Sequence, residues 1–462
     1  MHTPETFEQL SAEFGAASAR RRPGLLLVHH GRPLLQPYPL RRGSLSLGRG
    51  THADVGLEDG RVSREHARVS YDGRRWTVED LGSRNGTYVD GNAVERYEGE
   101  RPRVVRVGDA LFVPAEAVDE HDAEPLRAAD RPLAGAALRA AWARVDEAAR
   151  GSANLLILGE SGAGKEVAAR RYHAAGPLAQ GPFVAVNCAT VPRELAERLL
   201  FGARRGAFSG AVADAEGYLA AADGGTLFLD ELPELELPVQ AKLLRALETG
   251  EFVPLGATRP KQARFSLCCA AQADPRDDVA EGAFRADLYY RIATFSVRLP
   301  PLRERGEEIS WLVCHELARQ GPGPEVSASF VEACLSRPWP GNVRELFAAV
   351  RAAATEARLK GASALVRAHL DPRAGTATVR PDADARASEV VAADVLADRA
   401  AVENALRAHH GNVAACARAL GVHRNQLRRW LAKGGPRGQV GRVGHGPGVA
   451  PRSALRATQS WS

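Results

Sequence analysis

The chain predicts a multidomain protein with three fold classes in series. An all-β sandwich comes first, then an α/β core with a helical lid, then a small all-α domain. Three observations carry this. Residues 25–114 hold short alternating segments such as "ARVSY" and "RRWTVEDLG" between turn clusters, the pattern of a β sandwich. From 132 to about 300, short continuous apolar runs ("NLLILG", "GTLFLD") alternate with helical patterns, as in a buried parallel sheet. Residues 390–434 read as helices separated by a Gly-Asn break and a turn at Gly421.

The 462 residues suffice for these three units, at roughly 150 residues per domain. No run of 18 or more apolar residues is present, and "LLLV" near the N-terminus is too short for a signal-peptide core, so a cytoplasmic protein with no membrane partner is expected. Six cysteines (Cys188, Cys268, Cys269, Cys314, Cys334, Cys416) lack zinc-type pairing and read as small core residues. The net charge of +5 leans toward an anionic partner. The basic residues are almost all arginine, with only five lysines, so a lysine at a special position is informative.

Within the sandwich, "LGRG" (47–50), "VSREHARV" (62–69) and "DLGSRNGTYVDG" (80–91) are three separated motifs. Together they resemble the forkhead-associated (FHA) domain, a phosphothreonine-binding sandwich, over residues 25–114. A dianionic phosphate requires arginine, hydroxyl and amide donors on rigid loops. The resemblance puts Arg49, Ser63 and Arg64 on the phosphate and Asn85 on the peptide backbone, with Arg84 beside it. It makes His66 a buttress between loops, with Gly86 and Thr87 shaping the turn. The implied partner is a phosphothreonine-containing protein or a Ser/Thr kinase. Residues 115–131, acidic and alanine-rich, read as a linker.

In the α/β region, Gly159-Glu160-Ser161-Gly162-Ala163-Gly164-Lys165-Glu166 follows an apolar strand and opens a helix. This is the spacing of a phosphate-binding loop. Backbone N–H groups curl around phosphate oxygens, the helix N-terminus adds positive potential, and Lys165 reaches the outer phosphates. Glu166 stands where Ser or Thr normally binds magnesium. About 65 residues on, "GGTLFLDE" ends a buried strand in Asp230-Glu231. An aspartate there can hold Mg2+ through water, and the glutamate can polarise the attacking water.

"GESGAGKE", "GAFSGA", "GGTLFLDEL", "KLLRALETGEF", "FRADLYYRI", "RLPPLRER" and "WPGNVREL" occur in the order found in sigma-54-dependent transcription activators, bacterial enhancer-binding proteins of the AAA+ class. The resemblance covers residues 132–370, with about 301–370 as the helical lid. In that family a glutamate follows the P-loop lysine. The resemblance implies ATP and Mg2+ as cofactors and a homo-oligomer from dimer to hexamer ring. It implies that Asn187 holds the catalytic glutamate in an inactive pose. It further implies that Arg285 and Arg291 reach a neighbouring subunit's γ-phosphate, and that Arg344 is the sensor arginine of the lid. The loop Gly206-Ala207-Phe208-Ser209-Gly210-Ala211 would touch sigma-54 through Phe208. One departure is Ala270-Ala271-Gln272-Ala273, where the family has Ala-Ala-Thr-Asn; it puts hydrolysis in question more than binding.

Residues 371–389 read as a second linker. Residues 390–434 resemble the Fis-type helix-turn-helix, with Asn412 as an N-cap and Leu427 and Leu431 facing inward. Arg424, Asn425, Gln426, Arg428 and Arg429 are side chains suited to base edges and phosphates of enhancer DNA. The tail, 435–462, is basic and rich in Gly and Pro, a composition that predicts disorder. The reading is an ATP-driven activator of sigma-54 RNA polymerase under FHA control. The alternative is a non-hydrolysing phosphopeptide- and DNA-binding regulator that uses ATP only for assembly. A general AAA+ remodeller acting without DNA is disfavoured by the helix-turn-helix.

Overall fold

The computed structural model describes residues 22–121, 134–207, 213–376, 399–408 and 420. They fall into two units, 1–377 and 378–462.

The sandwich has eleven strands: β1 (Gly24–His30), β2 (Pro33–Pro39), β3 (Ser44–Gly48), β4 (Val55–Gly56), β5 (Ala67–Tyr71), β6 (Trp76–Asp80), β7 (Thr87–Val89), β8 (Asn92–Val94), β9 (Arg96–Gly99), β10 (Val105–Val107) and β11 (Ala110–Ala115). They form two sheets, β2-β1-β11-β10-β7-β8 and β4-β3-β5-β6-β9. Leu25 and Leu27 of β1 point between the sheets with Val69, Trp76, Val78 and Phe112, which is the alternation expected of a sandwich. The neighbouring Leu26 and Val28 are just as buried, on the outer face. An antiparallel sheet normally turns that face to water; here it is covered by the lid.

The α/β core contains α1 (Ala136–Arg150), β12 (Leu155–Leu158), α2 (Lys165–Ala175), β13 (Phe183–Asn187), α3 (Arg193–Phe201), β14 (Thr226–Asp230), α4 (Leu237–Thr249), β15 (Ser266–Ala271), α5 (Ala286–Ile292) and β16 (Phe295–Arg298). The five strands are parallel, in the order β13-β14-β15-β12-β16. Alternate residues pack on opposite faces. Leu155, Ile157, Phe228 and Cys268 meet α1 and α2, while Leu156, Leu227, Leu229 and Cys269 meet α3, α4 and α5. Four cysteines, Cys188, Cys268, Cys269 and Cys334, are buried and free, and Cys314 is half-buried and free.

The lid follows as α6 (Ile309–Ala318), α7 (Ala328–Leu335) and α8 (Asn342–Leu359). Ser327 caps α7, its hydroxyl accepting the Phe330 N–H at 3.3 Å. Among the described residues no helix is long and apolar enough to cross a membrane.

Both segments read as linkers begin as packed structure. Residues 115–121 continue β11 into a tight turn. Val118 is buried in the shared core, Asp119 pairs with Arg22, and the Glu120 carbonyl accepts from Arg139 of α1 at 2.8 Å. Residues 371–376 fold back on the lid, where the Gly375 carbonyl accepts the Trp339 N–H at 3.0 Å. One apolar residue in each segment's neighbourhood, Val118 and Trp339, supplies the anchor that composition alone did not reveal. In the second unit, a helix α9 (Arg399–Ala408) is described. Arg424, Asn425, Gln426, Arg428 and Arg429, the Asn412 cap and the tail 435–462 lie outside the described residues.

Candidate functional site

The phosphate loop leaves β12 and turns into α2. Its start is tied to the sheet by Gly159 N–H to the Ala271 carbonyl, 3.1 Å. Gly162 (φ 75°) and Gly164 (φ 107°) take left-handed backbone that a side chain would strain. Lys165 is buried. Its ammonium donates to the Gly159 carbonyl at 3.1 Å and to Glu231 Oε1 at 2.9 Å. Asp230 ends β14, and burial raises its carboxyl above the usual range against the opposing pull of Lys165. Glu231 follows it in left-handed backbone, φ 52°, an outlier for a side chain of this size.

These residues line a cavity of about 630 Å3 between the core and the lid. Its lining includes the charged Lys165, Asp230, Glu231 and Arg344 and the aromatic Trp142, Trp311, His315 and Phe347. The Trp311 and His315 rings stack at 4.7 Å. A flat base suits aromatic rings and phosphates suit the charged groups. Among the described residues no cluster of three or more His, Cys, Asp or Glu side chains could hold a metal alone.

The lid closes directly on the loop. Arg344 Nη1 donates to Ser161 Oγ at 2.8 Å. Asn342, fully buried, donates to Glu160 Oε2 (3.1 Å) and the Ser161 carbonyl (3.0 Å), and its Oδ1 accepts the Leu302 N–H at 2.7 Å. Arg303 grips Glu160 with two bonds, 2.8 and 2.9 Å, and holds its carboxyl below the usual range. Buried Arg305 donates to the Ala163 carbonyl at 2.9 Å and pairs with Glu308 at 3.1 Å. Burial pushes the Glu308 carboxyl up to about 8 against that pairing. "RLPPLRER" and "GNVREL" were legible as motifs, but the roles of Arg303, Arg305 and Asn342 depend on contacts about 140–180 residues apart in the chain.

One expected role moves. Asn187 does not hold Glu231. Its Oδ1 accepts the Ala189 N–H at 3.0 Å, capping the turn after β13. Glu231 is held by Lys165 and by Gln272 Nε2, at 3.2 Å. Arg285 pairs with Asp287 at 2.7 Å and Arg291 donates to the Leu247 carbonyl at 2.8 Å. Neither is among the residues lining the cavity of its own chain.

Gly206 and Ala207 stand at the base of a loop whose stem is closed by paired hydrogen bonds between Ala203 and Ala215, 2.9 and 2.8 Å. Arg204 clasps Asp214 at 2.6 Å across that stem. Phe208, Ser209, Gly210 and Ala211 lie outside the described residues.

On the sandwich, three loops converge. Ser63 Oγ accepts the Arg84 N–H at 3.0 Å, and Arg49 N–H donates to the Ser63 carbonyl at 2.9 Å. Fully buried His66 accepts the Ser63 N–H at 3.1 Å on Nδ1, leaving Nε2 to donate to the Gly86 carbonyl at 3.2 Å. It braces two loops, as expected. Asn85 donates to the Arg61 carbonyl at 2.6 Å, and Thr87 donates to Asp80 at 2.7 Å. A Cβ at Gly48 would meet the Arg64 carbonyl at 2.1 Å, so only glycine lets these loops approach. Arg49, Arg64 and Arg84 are exposed.

Three family models match in order: the FHA domain over 45–111, the sigma-54 interaction domain over 133–298, and the bacterial regulatory protein, Fis family, over 396–434. In domain content and order the chain is similar to the sigma-54-dependent transcriptional activators. The central domain is of the AAA+ ATPase class. Among its relatives, the regulatory protein LuxO of Vibrio cholerae is 44% identical over 214 residues, 45% of this chain and 47% of that protein. The nitric oxide reductase transcription regulator NorR2 of Cupriavidus necator is 40% identical over 298 residues, 60% of this chain and 57% of that protein. The chain thus spans about half of the length of these relatives. A solved structure of NtrX from Brucella abortus covers 65% of this chain and 68% of its own at 28% identity, with a TM-score of 0.49.

Proposed function

We propose that this activator hydrolyses ATP and spends the cycle on opening promoters held by sigma-54 RNA polymerase, while bound to enhancer DNA and governed by a phosphothreonine-bearing protein or Ser/Thr kinase at its FHA loops. The observation that carries the reading is the convergence of Lys165, Asp230, Glu231 and Arg344 on one cavity beneath the lid.

Lys165 and the N-terminus of α2 bind the outer phosphates, and Arg344 reaches them from the lid. Mg2+, when bound, would neutralise phosphate charge, and Asp230 is the residue that would hold it through water. Glu231 accepts the proton of the attacking water. Its ion pair with Lys165 means that drawing the ammonium onto phosphate also releases the carboxylate for this task. Gln272 keeps that carboxylate oriented. Arg285 and Arg291 act on the nucleotide of a neighbouring subunit, where planar guanidinium matches developing phosphate charge, so the working form is an oligomer, from dimer to hexamer ring. The loop Gly206–Ala211 carries Phe208 to sigma-54. Arg49, Ser63, Arg64, Arg84 and Asn85 hold the phosphothreonine peptide, and Arg424, Asn425, Gln426, Arg428 and Arg429 hold the DNA.

The second reading, nucleotide binding without turnover, is favoured by Gln272 on Glu231 in place of a threonine–asparagine pair. Steady-state ATPase assays with nucleotide-binding titrations decide between them. Lys165→Ala abolishes binding, and Glu231→Ala binds but does not turn over. Wild-type turnover in Glu231→Ala would refute the assignment. A wild-type protein that binds ATP but never hydrolyses it, at any protein concentration, would establish the second reading.

A further inference from the structure

We infer that the FHA sandwich is a fixed part of the ATPase lid, and that the protein works with this interface closed instead of releasing the sandwich to become active. The joined face is not a surface contact but a single core. Leu26, Val28, Leu35, Val104, Leu111 and Val118 of the sandwich are each at most 2% exposed. They share one apolar cluster with Ile309 and Val313 of α6 and Phe330, Val331 and Leu335 of α7. Cores of this kind are formed within domains; interfaces that open and close are smaller and more polar.

Polar groups pair across the seam. His29 Nδ1 lies 3.1 Å from Ser310 Oγ, both at most 1% exposed. Arg106 Nε donates to Glu332 Oε2 at 2.9 Å. At the rim, Arg103 donates to the Ser336 carbonyl at 3.0 Å and Arg367 to the Gly91 carbonyl at 3.2 Å. Separation would hydrate six large apolar side chains on one partner alone, and would break each of these bonds.

Nothing about phosphate recognition demands separation. Arg49, Arg64 and Arg84 are exposed while the interface is closed, and none of the hydrogen bonds to the lid uses them. The lid's own α8 begins on the phosphate loop, with Val343 N–H on the Gly162 carbonyl at 3.2 Å. The sandwich is therefore one packed layer away from the nucleotide, and a ligand on its loops acts through the lid as a unit.

The functional half of this inference rests on the ATPase reading above. The test uses the full chain carrying Arg103→Cys and Ser336→Cys, both at the accessible rim. A reductant-cleavable bis-thiosulfonate about as long as an arginine side chain joins them, with the single-cysteine variants as controls for the native thiols. The expected result is an intramolecular crosslink, equally complete with and without Mg-ATP. Its turnover should lie within about twofold of the same sample after reduction. A crosslink that blocks turnover, with activity restored on reduction, would overturn the inference, and so would one that forms only without ATP. Two thiols that each react with a monofunctional reagent but never join would overturn the docking itself. If the reduced protein shows no turnover, the ATPase reading has failed, while the crosslink yield with and without ATP still decides whether the interface stays closed.

Discussion

The Arg106–Glu332 pair allows a quantitative test of the shared core. Glu332 is 3% exposed and Arg106 20% exposed, and the guanidinium also lies 3.7 Å from the centre of the Tyr88 ring. One carboxylate oxygen, Oε2, accepts from Arg106, and the other has no hydrogen-bond partner. Burial already holds the Glu332 carboxyl above its usual range, with Arg106 pulling the other way. The two partners are therefore unequal. Arg106→Leu strands a buried carboxylate and should cost about 3–5 kcal/mol. Glu332→Gln keeps an acceptor for Arg106, whose charge still touches water and Tyr88, and should cost about 1 kcal/mol. Removing Arg106 raises the folded-state pKa of Glu332 further above its unfolded value. The stability of such a carboxyl is full below the unfolded pKa and lost as pH rises through the folded one. The Arg106→Leu deficit should thus be small near pH 5 and largest near pH 8. Arg106→Leu combined with Glu332→Leu should recover most of it. Thermal denaturation of the full chain at both pH values, read by circular dichroism, measures all four proteins. Equal losses in the two single variants at pH 8, or a deficit independent of pH, would refute this account of the interface.

Three further outcomes are expected. ATPase activity per subunit should rise with protein concentration, and mixing Arg291→Ala with Lys165→Ala subunits should restore part of it; a flat concentration profile in both tests would exclude a shared site. Arg49→Ala should weaken a phosphothreonine peptide by on the order of 2 kcal/mol, seen by calorimetry, while leaving the unphosphorylated peptide unchanged; binding indifferent to Arg49 would remove it from the site. Phe208→Ala should keep ATP turnover but fail to open a sigma-54 promoter in single-round transcription, and full opening would reduce the phenylalanine to an incidental loop residue.

The motifs that were legible are those whose chemistry is local. The phosphate loop, the Asp230-Glu231 strand end and the three sandwich loops each place their groups within a few residues, so spacing carries the geometry. His66 was readable as a brace through the FHA resemblance, since its Gly86 contact is 20 residues away in the chain. Asn187 and Gln272 were not. Which amide meets Glu231 depends on how two parallel strands are placed beside β14. The interdomain core leaves a signal in the sequence. "LLLV" at 25–28 is too short for a signal-peptide core, and four apolar residues in a row do not fit a strand with one wet face. In an antiparallel sandwich such a run means that both faces are covered, although it cannot name what covers the second. The packed beginnings of the two supposed linkers escaped because acidic, alanine-rich composition outweighed Val118, and because the anchor for Gly375 is Trp339, more than thirty residues upstream.

The double-faced β1 bears on how such a chain is assembled over evolutionary time. Signalling proteins are commonly described as beads that recombination can exchange, with a sensor cut from one gene and pasted into another. That description requires each bead to carry its own finished exterior. Here the sandwich has an unfinished side, and the lid supplies the finish. A phosphate-recognising sandwich imported from elsewhere would bring polar side chains to Leu26, Val28 and Leu111, and would set them against Phe330 and Val331. Exchange at the apparent boundary near residue 121 would then yield two damaged halves, so inheritance should treat residues from β1 to the end of α8 as one indivisible cassette.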